Sequence, residues 1–177
     1  MKGEEMKALG IVEFNSIPKG IEELDKIIKF NELKIYKAGV TCPGKYYFIV
    51  YGDNSSVKDG LKDLTGERCK QVISGVSEKL LEALNRKRED KKFKAIGVVE
   101  FLNIADGVKV LDHVIKSVDV DIVKLVLGWT LAGKCYFVVG GETSSIDEAI
   151  VLVTGSSYKY MDISKINNPV ENILDYI

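Results

Sequence analysis

At 177 residues, with 46% hydrophobic and 29% charged residues and a net charge of −1, the chain has room for one domain or two small ones. Charge this evenly balanced excludes the basic field that nonspecific nucleic-acid binding and polybasic membrane association require. No apolar run is long enough to span a bilayer and no signal-peptide pattern precedes Ala8, so the expectation is a soluble cytosolic protein.

In chain order, the first predicted element is an apolar strand, Ala8–Phe14. A helix follows. Ser16 supplies an N-cap, and Pro18 falls in the first turn, where its missing N–H costs little. Ile17, Ile21, Leu24 and Ile28 recur at helical spacing as one apolar stripe. Two strands rich in Val, Ile, Tyr and Phe come next, Lys34–Val40 and Lys45–Tyr51, joined by a loop that ends in Gly-Lys. Asp53-Asn54-Ser55-Ser56 reads as the cap of a second helix, and a further short strand closes the unit. Leu80–Lys94 is a join whose apolar start fits a helix end, with Arg86–Lys94 as a solvated, charged connector.

The same order then begins again. Ala8, Gly10, Val12, Glu13, Phe14, Ile17, Gly20, Asp25, Ile28 and Lys29 recur as Ala95, Gly97, Val99, Glu100, Phe101, Ile104, Gly107, Asp112, Ile115 and Lys116. After a two-residue insertion, Gly44, Lys45, Tyr47, Phe48, Val50 and Gly52 recur as Gly133, Lys134, Tyr136, Phe137, Val139 and Gly141. Such a repeat means two domains, 1–90 and 91–177, that lean on each other. The second copy predicts a strand at Ala95–Phe101 and a helix with the stripe Ile104, Val108, Leu111 and Ile115. Strands near Asp121–Leu127 and Lys134–Gly140 follow, then a helix capped by Glu142-Thr143-Ser144-Ser145. In the tail Tyr158–Ile177, the spacing of Val170, Ile173, Leu174 and Ile177 predicts a terminal helix docked on the body. The order strand–helix–strand–strand–helix–strand predicts an α+β fold, a ferredoxin-like antiparallel sheet backed by helices in each copy.

The copies part company at one loop. The first reads Thr41-Cys42-Pro43-Gly44-Lys45, the second Thr130-Leu131-Ala132-Gly133-Lys134, so a thiol stands opposite a leucine. Cys42, Cys69 and Cys135 make an odd count with no Cys-x-x-Cys pair, which suits free thiols in a reducing compartment. On the residues alone, Cys42 reads either as an ordinary loop thiol or as a metal ligand. Cys135, beside Tyr136 and Phe137, reads as buried core, and Cys69 as a partly buried thiol. His113, the single histidine, suits a solvated or interface position and has no partner histidine for a metal. Gly140-Gly141 lacks a phosphate-loop pattern, which sets nucleotide binding aside.

Several of these motifs together resemble the bacterial microcompartment shell domain. They are the Ala-x-Gly-x-Val-Glu openings at Ala8–Glu13 and Ala95–Glu100, the Asp-x-x-x-Lys helix motifs at Asp25–Lys29 and Asp112–Lys116, the Gly-Lys pairs Gly44-Lys45 and Gly133-Lys134, and the strand ends Gly52-Asp53 and Gly141-Glu142. The match covers nearly the whole chain in both copies, and each copy starts with the opening strand. The resemblance therefore implies the unpermuted, tandem-domain class: a homotrimer of hexagonal outline that tiles with other shell proteins around metabolic enzymes, located in a microcompartment shell in the bacterial cytoplasm. It places Lys29 and Lys116 at the tile edge, where otherwise they would read as exposed helix lysines. It makes Thr41, Pro43, Gly44, Trp129, Thr130, Leu131 and Ala132 line a central pore, with Trp129 equally suited to the core. The edge loop of that family is weakly matched, Lys165-Ile166-Asn167-Asn168-Pro169 being the nearest stretch.

Cys42-Pro43-Gly44-Lys45 is similar to the same loop in the iron–sulfur-binding tandem shell proteins of propanediol-utilising microcompartments. That likeness implies a [4Fe–4S] cluster, one per trimer, ligated by Cys42 from three chains, which passes electrons across the shell or serves enclosed redox enzymes. One cysteine per chain suffices if threefold symmetry supplies the others. Two alternatives stay open: a tile whose metal-free pore passes metabolites, and a cysteine-dependent redox enzyme. The latter needs a base or resolving thiol beside Cys42, and the sequence offers no evident one. No catalytic residue, nucleic-acid partner or membrane partner is expected.

Overall fold

In the computed structural model, the described residues are 8–85, 91–128, 133–170 and 173–176. The first copy runs β1 (Ala8–Phe14), α1 (Ile17–Phe30), β2 (Lys34–Thr41), β3 (Lys45–Gly52), α2 (Asn54–Lys62), β4 (Glu67–Ser74) and α3 (Glu78–Leu84). The second runs β5 (Ala95–Phe101), α4 (Ile104–Ser117), β6 (Asp121–Leu127), β7 (Cys135–Gly141), α5 (Thr143–Thr154) and β8 (Tyr160–Asn167), then a 3₁₀ turn at Ile173–Tyr176. Each copy forms a four-stranded antiparallel sheet, β2-β3-β1-β4 and β6-β7-β5-β8. The registers repeat as well. Gly10 lies opposite Val72 and Gly97 opposite Lys165, which makes each β8 residue the counterpart of a β4 residue.

Local chemistry explains the helix starts. The Ser16 hydroxyl accepts from the Lys19 N–H at 3.4 Å, and the Asn103 side chain accepts from the Asp106 N–H at 2.8 Å. Asp53 and Glu142 hold the N-cap positions of α2 and α5 but make no side-chain cap bond.

The two predicted stripes are not buried alike. In α4, Ile104, Val108 and Leu111 are fully buried. In α1, Leu24 and Ile27 are buried while Ile21 stays 50% exposed. The cause is the neighbour. One face of the first sheet covers its own helices through Val12, Phe14, Phe48 and Val50, packed with Leu24, Ile27, Val57 and Leu61. Its other face, with Leu9, Ile11, Ile49 and Ile73, joins α3 and the α4 side of the second domain in one continuous core. Helix α4 is thus sandwiched between two sheets, whereas among the described residues the corresponding side of α1 meets no second sheet.

The tail departs from the expected terminal helix. Its first half is β8. Pro169 cannot continue a ladder, and among the described residues the 3₁₀ turn alone follows. Val170 is 65% exposed and Tyr176 86%, while Leu174 packs against Ile96, Val123 and Val138. The helical spacing was therefore used only in part; Ile177 lies outside the described residues, as does 86–90 of the connector.

Candidate functional site

The divergent loop is the tight turn between β2 and β3, closed by the pairing of Thr41 with Lys45. Gly44 takes φ 77°, a left-handed conformation that a side chain would strain, and Gly133 takes φ 76° at the matching place in the second copy. Cys42 is exposed and precedes a cis Pro43.

Its flanks are fixed to the second domain. Thr41 is only 2% exposed, and its hydroxyl donates to the Gly128 carbonyl at 2.5 Å. A methyl group on Gly133 would sit 2.8 Å from the Lys45 Nζ and 3.1 Å from the Cys42 carbonyl oxygen, so the two turns lie against each other. Sequence reasoning placed Thr41, Cys42, Pro43 and Gly44 together, and the fold does bring them to one turn beside Gly128 and Gly133. Trp129, Thr130, Leu131 and Ala132 lie outside the described residues.

Beneath the turn sit charges that the sequence did not single out for a role. Glu13 is fully buried; its Oε1 accepts from the Ala105 N–H at 2.8 Å, at the N-terminus of α4. Its Oε2 meets no hydrogen-bond partner among the described residues. Burial raises the Glu13 carboxyl to about 7, against the opposing pull of the Ala105 and Ile104 N–H groups and the Arg68 and Lys45 charges. Burial also lowers the Lys45 ammonium below its ordinary value, Arg68 adds to this, and Glu13 opposes it. The signal in the sequence was an acid inside an otherwise apolar strand. Its counterpart Glu100 is half-exposed and pairs with Lys134 at 3.1 Å.

The three thiols differ sharply. Cys135 is buried, and burial raises its thiol well above the usual range. Cys69 is half-buried and pushed up to about 12, first by burial and then by the Asp106 carboxylate. Cys42 alone is exposed. Among the described residues, no group of three or more His, Cys, Asp or Glu side chains is placed to hold a metal within one chain.

The paired lysines occupy equal positions on α1 and α4 but unlike surroundings. Lys29 is exposed and bonds Asp25 at 2.6 Å. Lys116 pairs with the buried Asp112 and donates to the Ser74 carbonyl across the domain joint at 3.2 Å. His113 is exposed.

Comparison with known proteins gives a consistent picture. The BMC domain family matches residues 8–77 and again 95–169. The bacterial microcompartment shell protein PduT of Citrobacter freundii is 28% identical over 156 residues, 85% of each chain. A microcompartment protein from Desulfitobacterium hafniense DCB superposes with a TM-score of 0.81 at 25% identity, over 96% of this chain and 98% of that one. A fused permuted hexameric shell protein of the RMM microcompartment shares the fold, with a TM-score of 0.61 at 17% identity over 81% of each chain.

Proposed function

Because the chain belongs to the BMC-domain family of bacterial microcompartment shell proteins, we propose that three copies close into a six-domain ring whose centre is lined by the Cys42 turns, and that these turns together hold a [4Fe–4S] cluster. The family is structural rather than catalytic, which sets aside the cysteine-dependent redox enzyme. A ring of three puts the six turns around one axis, with first-copy and second-copy turns alternating, and it tiles with other shell proteins into a wall.

The observation that carries the cluster reading is the partition of the thiols. Only Cys42 is exposed, and it sits on a turn anchored through Thr41 to the neighbouring domain. One chain offers one usable soft ligand, so a multi-thiolate site requires symmetry mates. Cys42 from each chain would supply the thiolates, and Gly44 leaves room at the turn for close approach of backbones. When bound, the cluster supplies one-electron transfer between the two faces of the shell. Thr41 and Lys45 keep the turn in place, and the buried Glu13 ties β1 to the start of α4.

The test is anaerobic reconstitution with iron and sulfide, followed by visible absorption and electron paramagnetic resonance. Wild-type protein should turn brown and give a cluster signal after reduction, and Cys42→Ser should give neither. A colourless, iron-free wild-type trimer would instead favour the metal-free pore for metabolites.

A further inference from the structure

The duplication makes one joint of the proposed ring visible inside a single chain, and that joint is a template for the joint between chains. Within the chain, α4 packs along β4, the outer strand of the first sheet. Asp106 accepts from the Gln71 side chain at 2.8 Å and lies 3.5 Å from the Cys69 sulfur, while Lys109 donates to the Val72 carbonyl at 2.6 Å. Val108 is fully buried in the core that includes Ile11 and Ile73.

The matching surfaces at the two ends of the chain are α1 and β8. By the repeat, Lys19 and Glu22 stand where Asp106 and Lys109 stand on α4. By the strand register, Asp162, Ser164 and Lys165 stand where Cys69, Gln71 and Val72 stand on β4. Both helix charges are reversed, and Cys69, whose sulfur lies 3.5 Å from Asp106, is replaced by the carboxylate Asp162, while Lys165 turns to the other face of its sheet and pairs with Asp147 at 2.5 Å. The apolar contact is preserved: Ile21 replaces Val108 and is 50% exposed, and Val98 and Ile166 replace Ile11 and Ile73 and are only half-buried.

We infer that α1 of one copy docks head to tail on β8 of another copy of the same chain, and that recognition at this joint is carried by Lys19 facing Asp162, a charge pair that the joint within the chain lacks. The inference rests on the ring proposed above and adds the residues that select the partner. It also explains why the ring alternates. An α4 face set against β8 would bring Asp106 onto Asp162, two carboxylates, and α1 set against β4 would leave Lys19 facing a thiol. Only a first domain can follow a second, and three chains close the ring.

The experiment is a double-mutant cycle on full-length, iron-free protein, with the trimer fraction read by sedimentation velocity across protein concentration. Lys19→Gln and Asp162→Asn keep size and polarity, and monomer circular dichroism controls for folding. Each single change should raise the concentration for half-assembly by about tenfold, because three joints are affected, and the double variant should be no worse than the weaker single. Added salt should weaken the wild-type trimer more than the Asp162→Asn trimer. A trimeric wild type whose single effects simply add in the double variant would overturn the Lys19–Asp162 pairing and leave the ring intact. A wild type that stays monomeric at every concentration would overturn the ring and the pairing together.

Discussion

Replacing Glu13 by glutamine should change how stability depends on pH, in a direction and by an amount the structure fixes. The carboxyl is fully buried between the first sheet and the start of α4, with Oε1 bonded to the Ala105 N–H and Oε2 without a partner among the described residues. Burial raises it from 4.5 to about 7. Between those values the unfolded chain has released a proton that the folded chain keeps, so stability falls as pH rises through this window. The loss is absent below the lower value and complete above the upper one. At ~1.4 kcal/mol per pH unit the full cost is about 3 kcal/mol, most of it falling between about pH 5 and pH 8. Glutamine keeps the shape and an acceptor oxygen for Ala105 but cannot ionise. Denaturant unfolding at fixed protein concentration, at about pH 5 and about pH 8, should show Glu13→Gln gaining about 2 kcal/mol or more on wild type as pH rises. Parallel pH dependences for the two proteins would refute the reasoning, since Glu13 would then ionise in the folded chain as readily as in the unfolded one.

Thiol labelling of the folded, iron-free chain at mildly alkaline pH should modify Cys42 first, Cys69 far more slowly and Cys135 only on unfolding, as peptide mapping would reveal. Thr41→Val should cost about 1–3 kcal/mol by leaving the Gly128 carbonyl without its donor, measurable by thermal unfolding. Lys29→Asp should change stability by less than about 1 kcal/mol, because it disturbs only an exposed ion pair, yet abolish two-dimensional sheets seen by electron microscopy; intact sheets would refute the tile-edge role. Lys116→Ala should destabilise the chain more than Lys29→Ala does, because it leaves the buried Asp112 carboxylate at the domain joint without its cation, held only by the Ser77 N–H among the described residues.

The sequence made most of the elements legible because local patterns and global packing agree there. The apolar stripe of α4 becomes a buried face, and the run of Tyr, Phe, Ile and Val in β3 becomes a central strand. What stayed hidden depends on neighbours rather than on local residues. Glu13 and Glu100 share the context Val-Glu-Phe, yet one lies buried under α4 and the other pairs with Lys134 at the surface. Ile21 and Val108 hold the same place in the same stripe and differ completely in exposure, because among the described residues only one of them meets a second sheet. Lys29 and Lys116 part in the same way. The tail misled for another reason: of its apolar residues at helical spacing, Leu174 finds an apolar surface to pack on while Val170 stays 65% exposed, so the spacing does not build a buried helical face there. At the Cys42 turn, the residues and their grouping were readable, but the anchoring of Thr41 to Gly128 was not, since it joins positions far apart in the chain.

Native mass spectrometry of the anaerobically reconstituted protein addresses the shared site most directly. Three chains carrying four irons and four sulfides should appear as one species, and Cys42→Ser should leave trimers that carry no iron. Iron bound to single chains, or wild-type trimers that emerge iron-free from reconstitution, would contradict a cluster held jointly by three Cys42 thiolates.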